Sequence, residues 1–116
     1  HCQDWRNSMK SLNDKLKSFQ SSISEISTCY HYFRPVHQEA PFIVWAENGE
    51  GSSFYGGNRK EEQTIAGTID LFTKEEFDPR IDEIQDFLFH LPSFELESVQ
   101  YEEETELIHY EWSFEI

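Results

Sequence analysis

Leu107-Ile108-His109-Tyr110-Glu111-Trp112-Ser113-Phe114-Glu115-Ile116 is the stretch on which the fold turns. Ile108, Tyr110, Trp112, Phe114 and Ile116 share one parity, and His109, Glu111, Ser113 and Glu115 share the other. A period of two is what a strand with one buried and one solvated face requires. The acidic turn Glu102-Glu103-Glu104-Thr105 precedes it and Phe94 to Tyr101 lies before that, so the pair reads as a C-terminal hairpin. In its first strand Phe94 and Leu96 have one parity while Val99 and Tyr101 have the other, which predicts a bulge near Glu97 or Ser98.

Upstream, Asp78-Pro79 reads as a helix start, with Asp78 as cap and Pro79 at the first helical position. Ile81, Ile84, Leu88 and Leu91 make the buried stripe, and Pro92 forces a stop near Leu91. Gln63 to Thr73 alternates Ile65, Gly67, Ile69 and Leu71 with Thr64, Ala66, Thr68 and Asp70, the pattern of a long central strand. Phe42 to Ala46 is a compact apolar strand, and Glu47 to Ser53, rich in turn-forming residues, is expected to be a mobile loop. Cys29 to Phe33 reads as a short aromatic strand that ends at Arg34-Pro35. Between Ser11 and Ile26 the spacing of Leu12, Leu16, Phe19, Ile23 and Ile26 predicts an amphipathic helix. The fold class is therefore α+β: a small antiparallel-rich sheet with two packed helices, in the order α-β-β-β-α-β-β.

At 116 residues the chain suits one domain, placed at 10–116. Residues 1–9 begin with His1 and end at Met9, the sole methionine; they read as an N-terminal extension of vector or processing origin, outside the fold. The net charge of -14 repels phosphates and anionic lipid, which disfavours specific nucleic-acid or membrane binding. After Arg80 no Lys or Arg follows, so one end of the fold must be strongly negative. Two cysteines, Cys2 and Cys29, do not make a disulfide framework and read as free thiols. No apolar run is long enough to span a bilayer and no signal-peptide apolar region is present, so a soluble protein is expected.

No chemistry-bearing constellation stands out. The carboxylates fall on a turn and on the polar face of a strand, where a solvated acidic surface is the simpler reading than a general acid/base pair. Cys29, His31 and His37 do not complete a four-ligand metal set, and the serines lack a nucleophile-elbow context. Gly51 to Asn58 has glycines at phosphate-loop spacing without the Lys-Ser/Thr pair or a following helix. No catalytic, metal or cofactor site is expected. The Gly-rich connection does carry Phe54 and Tyr55 followed by the basic pair Arg59-Lys60, which suits a contact with a partner or simply a floppy connection.

The arrangement of a helix, Pro41-Phe42-Ile43-Val44-Trp45, the loop with Phe54-Tyr55-Gly56-Gly57-Asn58, Gln63 to Thr73, Asp78-Pro79, Ser98 to Tyr101 and Tyr110 to Ile116 resembles small tail-completion and tail-terminator proteins, the head–tail connector subunits of tailed phages and prophages of Firmicutes. The resemblance implies a non-enzymatic virion structural protein at the head–tail junction, present in the host cytoplasm during assembly. It implies a self-associating ring, a hexamer, whose partners are tail tube and head-connector proteins. By the same resemblance Asn48, Phe54, Tyr55, Asn58, Arg59 and Lys60 are candidates for contact with a neighbouring subunit or the tube, and Glu102, Glu103, Glu104 and Glu106 for an acidic surface. The alternative from another class is an acidic, immunity-type inhibitor that binds a basic partner surface, because the same negative field would steer it onto a cation-rich protein.

Overall fold

Ser11 opens the first helix, α1 (Leu12–Ser24), by accepting a hydrogen bond from the Asp14 amide on its Oγ at 3.1 Å. Phe19 and Ile23 are its buried residues. Leu12, expected on the same stripe, is exposed at the first position of the helix. The structure, a computed structural model, describes residues 11–52, 54–56 and 59–116. The extension assigned to residues 1–9 lies outside the described residues.

Beyond α1 come β1 (Cys29–His31), β2 (Phe42–Glu50), β3 (Phe54–Gly56), β4 (Arg59–Glu62), β5 (Ile65–Thr73), α2 (Pro79–Leu88), β6 (Ser93–Glu102) and β7 (Leu107–Glu115). The main sheet has the order β1-β2-β5-β7-β6, with β3 and β4 forming a separate two-stranded ribbon. The β1–β2 pair is parallel and the other three pairs are antiparallel. The α+β class and the α-β-β-β-α-β-β order of the main body are as the sequence predicts.

The segment read as a mobile loop from Glu47 continues as strand through Glu50, because Glu47, Gly49 and Glu50 pair with Gly67, Ala66 and Ile65 of β5. The turn-forming Asn48 is absorbed as the extra residue of a bulge, where the register shifts between Glu47 and Gly49. The first strand is also shorter than Cys29 to Phe33: Tyr32 turns out of it with φ +79°, its amide still bonded to the Trp45 carbonyl at 2.8 Å.

The second helix starts as expected. Asp78 Oδ1 accepts the Arg80 amide at 2.9 Å and Oδ2 accepts the Thr73 hydroxyl at 2.6 Å, which ties the helix cap to the end of β5. Regular helix ends at Leu88. The expected run to Leu91 closes instead through tighter bonds, from the His90 amide to the Phe87 carbonyl and from the Leu91 amide to the Leu88 carbonyl, before Pro92.

Both helices cover one face of the sheet. Phe19, Ile23, Ile84 and Leu88 meet Ile43, Trp45, Ile69, Leu71, Trp112 and Phe114 in the main core. Phe19 stacks on Phe114 with centroids 4.4 Å apart, and fully buried Trp112 donates its indole N–H to Gln85 Oε1 at 3.0 Å. The opposite face carries a smaller cluster of Phe42, Val44, Phe72 and Leu107, flanked by Tyr30 and Ala40. The predicted bulge in β6 is present: Leu96 pairs with Trp112 and Ser98 with Glu111, leaving Glu97 extra.

Candidate functional site: the acidic open face and its edge strand

Parity puts Asp70 of β5, Glu111 and Glu115 of β7, and Glu95 of β6 on the face away from the helices. The bulge adds Glu97, whose Oε2 accepts the Ser113 hydroxyl at 2.6 Å on that same face. Glu102 lies at its far end, paired with Leu107. The face is therefore half apolar, at the Phe42–Phe72–Leu107 cluster, and half acidic.

The junction of the two halves is a small charged network. Arg34 lies 4.1 Å over the Phe72 ring and forks onto Glu102, with Nη1 to Oε2 at 3.0 Å and Nη2 to Oε1 at 2.7 Å. His109 stacks on Phe72 with centroids 4.2 Å apart, its Nε2 is 3.2 Å from Asp70 Oδ1 and its Nδ1 is 3.5 Å from Glu102 Oε2. The Asp70 contact raises the His109 pKa; burial opposes it, and the charges of Asp70, Glu102 and Glu111 add to it. Glu102 is held below the usual carboxylate range, first by the Arg34 bonds, against a smaller cost of burial, with help from Thr105.

Other titratable groups also serve the fold. Glu115 Oε1 accepts the Ser52 amide at 2.8 Å and the Thr64 hydroxyl at 3.1 Å; these bonds, led by the Ser52 amide, lower its pKa. His31 is stacked between Tyr32 and Trp45, at 3.7 and 3.8 Å between centroids, while its Nε2 and the Tyr32 hydroxyl both engage Glu47. Burial would raise the Glu47 pKa, but the bonds from Tyr32 and His31 outweigh it and the net shift is downward. Cys29 is a free thiol packed against the core, and burial pushes its pKa up, the opposite of an activated nucleophile.

This geometry bears on catalysis. A carboxylic acid that donates a proton at neutral pH needs a raised pKa, whereas Glu47, Asp78, Glu102 and Glu115 are all shifted down by donors around them. Both ring nitrogens of His109 face carboxylates, so neither is turned toward a nucleophile. Among the described residues no group of three or more His, Cys, Asp or Glu side chains is placed to hold a metal ion, and no helix is long and apolar enough to cross a membrane.

The candidate residues are not gathered into one patch. Glu103, Glu104 and Glu106 are exposed on the β6–β7 turn, but Glu102 is half-buried and bound to Arg34. Asn48 is exposed at the β2 bulge. Phe54 and Tyr55 lie on β3, and Arg59 and Lys60 on β4, with Tyr55 paired to Lys60 and Gly56 to Arg59. Asn58 lies outside the described residues. A groove of about 1030 Å³ runs between the segment around Arg34 to Ala40 and the acidic turn; its lining sets Glu39, Glu102, Glu103 and Glu104 against Arg34 and Lys74, so carboxylates outnumber cations there.

The Arg34–Glu102 and His109–Asp70 pairs could not be read from the residues alone, because each joins positions far apart in the chain. Nor did the sequence mark the exposure of β6. Leu96, Val99 and Tyr101 are 49%, 48% and 59% exposed on an edge strand of ten residues. Compared with known proteins, the sequence matches no family model, and neither a curated protein nor a solved structure matches the chain.

Proposed function

We propose that the chain is a non-catalytic virion subunit at the head–tail junction of a tailed phage, a tail-completion or terminator protein that assembles as a ring on the tail tube. The observation that carries this reading is the open sheet face, where Asp70, Glu95, Glu97, Glu111 and Glu115 lie together with no Lys or Arg on the same strands. Such a face repels a passing DNA backbone, which is what the wall of a DNA conduit needs. The β1 edge of the sheet and the β3–β4 ribbon supply surfaces for heterologous contacts of the kind that close a ring.

Light scattering across a concentration series, at moderate salt to screen self-repulsion, tests it. A discrete species at a fixed multiple of the subunit mass is expected. A second reading, an acidic inhibitor of a cationic protein, draws on the same face, since a dense negative field accelerates encounter with a basic partner. That reading expects a monomer or dimer at all concentrations and one-to-one capture of its target.

A further inference from the structure

The strand β6 borders the sheet on one side only: its partner is β7, and among the described residues no strand pairs with its outer edge. An open edge offers backbone N–H and C=O groups to any extended chain. Two side-chain rows flank this edge. On the helix side, Leu96, Val99 and Tyr101 are about half exposed, paired with Trp112, Tyr110 and Ile108. On the open face stand Glu95, Glu97 and Glu102.

We propose that the outer edge of β6 is a docking site for an extended segment of a partner protein, one that alternates apolar residues with Lys or Arg. Added as a sixth strand, it would lay its apolar residues beside Val99 and Tyr101 and its cationic residues beside Glu95 and Glu97. Backbone pairing provides affinity in this mode and the alternate side chains provide specificity.

Charge selects the occupant. A second copy of β6 running antiparallel would bring a second acidic row, its own Glu95 and Glu97, onto the same face, and like charges across a strand pair destabilise it. The acidic row thus opposes self-pairing while favouring a cationic strand, so one set of residues supplies both the attraction and the rejection. The bulge at Glu97 interrupts the regular pairing surface, so the added strand must span both Ser93 to Leu96, beside Glu95, and Ser98 to Glu102, beside Val99 and Tyr101. The inference does not depend on the phage reading, because it uses only the edge, its exposure and its charge.

The probe is a labelled ten-residue peptide alternating lysine and valine, measured by fluorescence anisotropy at physiological salt, where exposed charges more than about 8 Å apart are largely screened. A second peptide of the same sequence, N-methylated at alternate residues, keeps the charge and removes backbone donors. We expect the N-methylated peptide to bind at least ten-fold more weakly, and the double variant Glu95→Lys/Glu97→Lys to bind the first peptide at least ten-fold more weakly. Both glutamates are exposed, and an unchanged far-UV circular dichroism spectrum checks the fold of the variant. Hydrogen exchange should show new protection in residues 93–102. Absence of binding, equal binding of the two peptides, or protection appearing elsewhere would overturn the proposal. Protection of 93–102 that rises with protein concentration alone would also overturn it, by making a second copy the occupant.

Discussion

Gly67→Ala, a single added methyl on the central strand β5, is a test of how closely this sheet is packed. A Cβ at Gly67 would lie 2.5 Å from the Ala46 carbonyl oxygen, 2.7 Å from Phe114 Cζ and 3.0 Å from Glu47 Cα. In an unstrained strand the substitution should stabilise by roughly 0.4–1 kcal/mol, because alanine restricts the unfolded chain. Here the sign reverses. The nearest atom is backbone, held in the β2–β5 ladder on both sides by Ala46–Thr68 and Glu47–Gly67 pairing, so it cannot yield without disturbing the register. The second is the tip of a ring fixed against Phe19. Overpacking costs about 1–3 kcal/mol, which exceeds the entropic gain. The expected net loss is about 1–2 kcal/mol, read as a lower urea midpoint by far-UV circular dichroism with an unchanged slope. An equal or higher midpoint would refute the argument that the absent side chain leaves room for Phe114.

Trp112→Ala should cost about 3–5 kcal/mol, from the lost indole and the stranded Gln85 carbonyl; Trp112→Phe should cost clearly less, and equal midpoints for the two would point away from packing as the cause. Burial alone would raise the Asp78 pKa, but the bonds from Thr73 and from the Arg80 amide and guanidinium hold it below the usual range. Its stabilising effect is therefore present above about pH 4 and is lost as pH falls through the folded-state value, so acid unfolding curves of the wild type and Asp78→Asn should converge only at low pH. The raised pKa of His109 has the opposite sign: its contribution is complete below about pH 6.5 and fades as pH rises through the folded-state value. An NMR titration should place His109 above that point, and Asp70→Asn should lower it; no movement would remove Asp70 as the cause. Glu103→Lys/Glu104→Lys should leave stability within about 0.5 kcal/mol while increasing retention on DNA; a large loss of stability would show that the turn is not merely solvated.

What could be read from the sequence was local in origin. The β6 bulge followed from a parity switch within eight residues, and the helix start from the Asp78-Pro79 pair. The extension of β2 through Asn48, Gly49 and Glu50 was hidden, because those residues favour turns and are held in the strand only by the pairing of Gly49 with Ala66 and Glu50 with Ile65 of β5, residues remote in the chain. Glu102 illustrates the same limit at the site: by its neighbours it belongs to a solvated acidic turn, and only the return of the segment around Arg34 across Phe72 makes it a bound, half-buried carboxylate.

The sheet order has a bearing on biosynthesis. The strand β7 lies inside the sheet, between β5 and β6, yet it is made after every other element described. While the ribosome is still short of Leu107, β5 has only β2 beside it and β6 has no neighbour, so the nascent chain holds Leu96, Val99 and Tyr101 on an unpaired strand. A chain that stops short of β7 would be an aggregation-prone fragment rather than a slightly shortened domain, because the strand that joins β5 to β6 would be missing.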